Sequence, residues 1–170
     1  MRIFFNRKGQ LNIEGAKIMY GKFRNFAGRP TEFDRNGGKR YFSVLIEDQG
    51  VAEQMIEDGW RVKTYIPKGE GAEPVSHLKV NVSYHDDPNL RTMDPEVNLW
   101  IGKVRDRLDV DTISRLDKLE IMDADIRINH SRRDDEGKMS AYLDRLDVVI
   151  DEDWMDKKYA DSENPEEEPW

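Results

Sequence analysis

Apolar and polar positions alternate along most of this chain, and alternation places successive side chains on opposite faces of a strand. The cleanest run is His77-Leu78-Lys79-Val80-Asn81-Val82-Ser83-Tyr84. Residues 60–66 alternate as well, with Trp60, Val62, Thr64 and Ile66 on one side and Arg61, Lys63 and Tyr65 on the other. Further strands are predicted over 40–47, 97–101, 121–129 and 141–150. Residues 11–26, rich in β-branched and aromatic side chains, read as one strand bent at Gly15 and Gly21, because glycine inside a strand pattern marks a bulge or corner. Two short helices interrupt the pattern. Val51, Met55 and Ile56 line one over 51–58, stopped by Gly59, and apolar residues three apart give a second over 111–119 behind a capping Asp111.

The connections are polar and punctuated: Gly28-Arg29-Pro30 opens a loop that Asn36-Gly37-Gly38 closes, 67–74 forms another, and 131–138 joins the last two strands. Six or seven strands without long crossover helices exclude a parallel α/β sheet. They predict a mainly β chain with short helices, built as a small, partly open barrel.

Composition narrows the class. In 170 residues, hydrophobic residues make up 37 % and charged residues 36 %, so the chain reads as one globular domain with a modest core. No apolar run approaches the ~20 residues of a spanning helix, and residues 1–6 are too short for a signal peptide, which predicts a cytoplasmic protein without membrane contact. With no cysteine there is no disulfide, thiolate nucleophile or Cys-based zinc site.

A net charge of −8 argues against nucleic-acid binding until its distribution is read. Residues 1–45 carry ten Lys/Arg against three acids, whereas residues 151–170 carry nine acids against two Lys. The front is basic and the back acidic. Within the front, cations and aromatics interleave: Lys17, Tyr20, Lys22, Phe23, Arg24, Phe26, Arg29, Phe33, Arg35, Lys39, Arg40, Tyr41 and Phe42. Single strands call for this mixture, since phosphates take Lys/Arg and unstacked bases take flat rings. The competing reading makes the rings core and the cations a solvated face. On a regular strand Tyr20, Lys22, Arg24 and Phe26 share one face.

The end of the chain, Glu166-Glu167-Glu168-Pro169-Trp170, reads either as a solubilising tail or as a short peptide offered to partners. Residues 160–170 lack the apolar surface to order themselves. An acidic tail of this kind could also compete with nucleic acid for a basic groove.

Catalytic chemistry finds little support. His77, His85 and His130 are scattered without metal-ligand spacing, and no phosphate-cradling or nucleophile motif occurs. Asp109/Asp111 and Asp123/Asp125 are carboxylate pairs that could hold Mg²⁺ in a nuclease. Flanking a helix start and lying on a solvent face are their plainer explanations. The sequence therefore predicts no enzyme, no cofactor and no metal.

The segments Gly15-Ala16-Lys17-Ile18-Met19-Tyr20, Asn25-Phe26-Ala27-Gly28 and Arg35 to Ile46 resemble the N-terminal block of bacteriophage single-stranded DNA-binding proteins with an OB-fold. Asp58-Gly59-Trp60-Arg61-Val62-Lys63, Leu78-Lys79-Val80-Asn81-Val82, Asp125-Ile126-Arg127-Ile128 and Ser140-Ala141-Tyr142-Leu143 extend the resemblance over residues 11–159. The acidic Pro-aromatic end is similar to tails by which such proteins recruit replication and repair enzymes. Many of those end in Phe, where this chain has Trp170.

The resemblance implies an OB-fold-like five-stranded barrel with added strands over 1–159, followed by a disordered tail over 160–170. It also implies sequence-tolerant single-stranded DNA binding in phage replication or recombination. Binding positions implied are Lys17, Tyr20, Lys22, Arg24, Phe26, Arg29, Arg35, Lys39, Arg40 and Tyr41, then Trp60, Lys63, Tyr65, Arg132, Arg133 and Tyr142. The tail residues Glu166, Glu167, Glu168, Pro169 and Trp170 would bind protein partners. Exposed edge strands could pair two chains into a homodimer. The rival from another class is an acidic interaction or inhibitor module that mimics nucleic acid and targets a host enzyme.

Overall fold

The alternating segments become ten strands of a single sheet: β1 (Arg2–Phe5), β2 (Leu11–Glu14), β3 (Arg24–Asn25), β4 (Arg40–Ile46), β5 (Val62–Tyr65), β6 (Val75–Val82), β7 (Glu96–Ile101), β8 (Val104–Leu108), β9 (Asp123–His130) and β10 (Ala141–Ile150). This is a computed structural model, and it describes residues 1–151. One α-helix, α1 (Gln49–Glu57), joins β4 to β5, and three 3₁₀ turns cover Gly21–Phe23, Pro88–Met93 and Ile113–Asp117. The Asp48 side chain caps α1 by accepting from the Val51 amide, and Ala52 and Met55 are its buried face. Among the described residues no helix is long and apolar enough to cross a membrane.

β10 is the hub. One edge runs antiparallel to β9; the other pairs in parallel with β6 at Ala141 and Tyr142, then with β7 from Arg145 to Ile150. A register shift between Leu143 and Arg145 separates the two pairings. Beyond β9 lie β2 and β1; beyond β6 lie β4 and β3, while β5 pairs with β6 and β8 with β7. Strands β1, β3, β5 and β8 each have one neighbour, so the sheet stays open. The chain is mainly β, as its periodicity implies, and OB-fold-like, as the resemblance implies.

Inward positions of these strands make one core, including Ile13, Phe42, Val44, Leu78, Val80, Leu99, Ile128, Leu146 and Val148. Each such side chain contributes about 1.5–3 kcal/mol on burial.

The expected single strand over 11–26 is not formed. Gly15 and Gly21 both adopt φ +66°, a left-handed conformation that ends β2 and inserts the 3₁₀ turn before the two-residue β3. The face shared by Tyr20, Lys22, Arg24 and Phe26 is lost with the strand. The expected second helix shortens to the 3₁₀ turn at Ile113–Asp117, and β8 is a strand that the alternation does not predict. Residues 152–170 lie outside the described residues, and with them the domain limit at 159 and the tail over 160–170.

Candidate nucleic-acid interface

Three neighbouring strands turn one face outward. In β4 this face carries Tyr41, Ser43 and Leu45, paired across the ladder with Asn81, Lys79 and His77 of β6. On the far side of β6, Lys63 of β5 pairs with His77, and Tyr65 pairs with Val75. At the other end Tyr142 of β10 is in register with Asn81, so Tyr142, Asn81 and Tyr41 form one cross-strand row. Directly opposed residues share a face.

Rings and cations interleave on this face. Phe23 stacks on Tyr65 at 5.3 Å between centroids and meets His77 edge-on at 5.1 Å. The Lys79 ammonium lies over the Tyr41 ring, 4.6 Å from its centroid, and the Lys22 ammonium lies 5.3 Å from that of Phe23. The Tyr41 hydroxyl donates to the Lys22 carbonyl, tying the 3₁₀ turn to the sheet.

The electrostatics here are one-sided. Burial, then the cations of Lys63 and Lys22, hold the His77 imidazole below its ordinary pKa. Burial, then Lys63 and Lys39, lower the Lys79 ammonium likewise. The charges acting on both groups are all positive. His77 is only 7 % exposed, and its Nδ1 has no hydrogen-bond partner among the described residues. A surface on which like charges crowd is one that an anion relieves.

Two clefts flank the rings. A groove of about 690 Å³ is lined by Lys39, Arg40, Lys79, Asn81, Tyr84 and Tyr142, with Asp86 the single carboxylate at its rim. The Arg40 guanidinium donates to the Phe26 carbonyl at 2.6 Å and lies 5.7 Å from the Tyr84 ring centroid. A second groove of about 560 Å³ runs past Lys22, Arg29, Phe33 and Tyr41.

The structure therefore brings together Lys22, Lys39, Arg40, Tyr41, Lys63, Tyr65 and Tyr142 of the residues implied by sequence, with Arg29 on the second groove. Lys17 is exposed beyond them and paired with Glu47 at 2.8 Å. Tyr20 is exposed beneath the Arg24 guanidinium, and Arg35 is exposed on the 27–39 loop. Arg132 and Arg133 lie on the 131–138 loop, where Arg133 donates to the carbonyls of Gly137 and Asp58.

Three implied residues point inward and leave the set. Arg24 is 1 % exposed and donates to four backbone carbonyls, of Met19, Ile18, Leu116 and Leu119. It clamps the 18–24 segment to the turn at Ile113–Asp117, whose Asp117 carboxylate accepts from the Phe26 and Ala27 amides. Phe26 is fully buried and stacked on Phe42 at 5.0 Å. Trp60 is buried where it bridges to Met139. Arg24 opens β3 directly after the 3₁₀ turn, and it and Phe26 are both interior.

His77, Lys79 and Asn81 were missed by the sequence reading, and Phe23, counted among the interleaved rings, was not among the implied binding positions. The signal was present, because the clean alternation over 77–84 already puts His77, Lys79 and Asn81 on one side.

The carboxylate pairs have structural work. Asp109 accepts from the Asp111 and Thr112 amides and the Thr112 hydroxyl, opening the turn at Ile113–Asp117. Asp123 accepts from the Ala124 amide and Asp125 from that of Gly15. Among the described residues no three metal-ligating side chains converge.

An open OB-fold-like sheet bearing rings and unbalanced cations on one face defines a domain of the nucleic-acid-binding class. The chain belongs to the phage single-stranded DNA-binding family: residues 2–168 match the family described as "Putative phage ssDNA-binding domain". In fold it is similar to the single-stranded DNA-binding protein from bacteriophage Enc34 in complex with ssDNA, with a TM-score of 0.52, 14 % identity, and coverage of 84 % of this chain and 86 % of that one. A C-terminal truncation of the Enc34 protein gives a TM-score of 0.48 at 14 % identity, covering 85 % and 87 % of the two chains. No curated relative matches the sequence.

Proposed function

We propose that this protein is a non-enzymatic, sequence-tolerant single-stranded DNA-binding protein that serves phage DNA replication or recombination in the cytoplasm of the host. The strand lies along the outer face of β4, β6 and β5. Bases stack on Tyr41, Tyr65, Phe23 and Tyr142, and Lys22, Lys39, Arg40, Lys63 and Lys79 neutralise phosphates. The carrying observation is one sheet face on which Phe23, Tyr41, Tyr65 and Tyr142 interleave with Lys22, Lys63 and Lys79. Stacking tolerates any base because every base has a π-face. Family membership and the fold shared with a protein solved on ssDNA support the same reading.

The acidic end, Glu166-Glu167-Glu168-Pro169-Trp170, recruits replication or recombination proteins. Its net negative charge opposes that of the DNA, so the two tasks divide between sheet and tail.

Anisotropy of labelled oligo(dT), titrated at low and high salt against a duplex control, tests the binding reading. The expected result is tight, salt-weakened binding of intact single strand, because bound cations release condensed counterions. Absence of binding at low salt, also after removal of residues 160–170, overturns it in favour of the interaction-module alternative. The same truncation should leave or raise oligo(dT) affinity in the full-length comparison; a large loss would contradict the division of labour.

A further inference from the structure

We propose that Phe33 is the outer jaw of a base clamp, with one base of the single strand held between it and Tyr41. This rests on the DNA-binding reading and adds a residue and a geometry to it.

The loop over 27–39 is built to hold its tip still. Thr31 and Asp34 exchange backbone hydrogen bonds at 2.9 and 3.2 Å, and the Asp34 carboxylate accepts from the Lys39 amide at 3.2 Å. The Asn25 side chain holds Arg29 from both sides, accepting from its amide at 2.9 Å and donating to its carbonyl at 3.0 Å. The neck is pinched where the Gly38 amide donates to the Gly28 carbonyl at 2.8 Å. Gly37 is required there: at φ +74° a Cβ would meet the Gly28 oxygen at 2.8 Å.

At the tip of this braced loop stands a phenylalanine with no packing role. Phe33 is 90 % exposed, the highest value among the exposed large hydrophobic residues described. It is not turned toward open solvent alone. Phe33 and Tyr41 line one narrow cleft of about 120 Å³ together with Lys39 and Lys79, and both also line the larger groove beside Lys22 and Arg29. A flat ring on a braced loop thus shares a narrow cleft with a second flat ring on the sheet, with Lys39, Lys79 and the Asp34 carboxylate around it. An unstacked base fills such a gap and places its phosphates among Lys22, Lys39 and Lys79. A base inside a duplex already has both faces stacked and cannot enter, so the clamp also selects single strands.

The test compares wild type, Phe33→Ala and Phe33→Trp on oligo(dT) and on an equally long abasic phosphodiester strand. Since Phe33 is 90 % exposed, the variants should keep the wild-type melting temperature. Phe33→Ala should bind oligo(dT) about 5- to 150-fold more weakly, the equivalent of the ~1–3 kcal/mol that one stacked base supplies. The salt dependence should keep its slope, because no phosphate contact is removed. Phe33→Trp should restore affinity, with its indole emission quenched by oligo(dT) and not by the abasic strand. The clamp is overturned if Phe33→Ala binds oligo(dT) within twofold of wild type, or if it weakens both strands equally. Failure of wild type to bind oligo(dT) at all would overturn the underlying binding reading instead.

Discussion

Two outer faces of the same sheet treat charge in opposite ways. On the β7–β10 face, Asp147 accepts from Trp100 at 2.9 Å, from Asn98 at 3.1 Å and from Arg145 at 2.8 Å, and Arg145 also reaches Glu96 at 3.3 Å. These hydrogen bonds and the Arg145 cation outweigh burial and keep the Asp147 carboxyl below the usual carboxylate range. Every charge there has its counter-charge beside it. On the β4–β6–β5 face, by contrast, the neighbours of His77 and Lys79 are further cations. Charged side chains alone do not mark a binding face; charges left uncancelled do. The first face is balanced by its own residues, and the second keeps its cations uncancelled.

That contrast can be broken at four points. The largest effect belongs to the self-contained face: Asp147→Ala leaves the part-buried Trp100 indole N–H without its acceptor and takes from Asn98 and Arg145 one of their two carboxylate partners, and should cost about 1–3 kcal/mol in urea unfolding. Oligo(dT) affinity should hold within twofold, and a large affinity loss at unchanged stability would erase the distinction between the faces. The same carboxylate sets a pH dependence. Its depressed pKa contributes stability that is full above the unfolded value of about 3.9 and is lost as pH falls through the folded value.

Next in size is Tyr41→Ala, which should weaken oligo(dT) binding by about 1–3 kcal/mol. The fold loses the exposed hydroxyl bond to Lys22 and the Lys79 ammonium's contact with the ring, so the urea midpoint should barely move. Lys63→Gln with Lys79→Gln should act mainly on salt dependence, lowering the slope of log K against log salt by about 0.7 for each phosphate contact removed. An unchanged slope would place the phosphates elsewhere.

The smallest effect is proton-linked. With its pKa depressed by burial and by Lys63 and Lys22, His77 is neutral at pH 7. Phosphates favour the imidazolium, so affinity should rise a few-fold from pH 7 to pH 5, and His77→Phe should flatten that rise while keeping a ring against Phe23. A rise that survives the substitution assigns the proton to another group.

Much of the sheet was legible because its strands are long enough to repeat. β10 falls on residues 141–150 as its alternation predicts, and β4, β6 and α1 shift by one or two residues. β1 and β8 were invisible for physical reasons: each is an edge strand of four or five residues, and β8 reads Val-Arg-Asp-Arg-Leu, with its apolar side chains only at the ends. The interface was legible as a composition and illegible as an arrangement. Arg24, Phe26 and Lys22 are the same residue types within five positions, yet two are interior and one is on the face. What divides them is the change from the 3₁₀ turn at Gly21–Phe23 to the extended β3 at Arg24–Asn25, which no count of cations and rings contains. Phe33 carried no periodic signal at all, since its role depends on a loop closed by Asp34, Gly28 and Gly38.

The central claim is that the single strand lies on the β4–β6–β5 face, and cross-linking reads that location directly. Irradiating a bromodeoxyuridine-substituted oligo(dT) bound to the full chain, followed by mass spectrometry of the adducts, should find attachment at Tyr41, Tyr65, Phe23 or Tyr142, with Phe33 joining them if the clamp is right. Adducts confined to the 131–138 loop, or to β1 and its neighbours, would contradict the account.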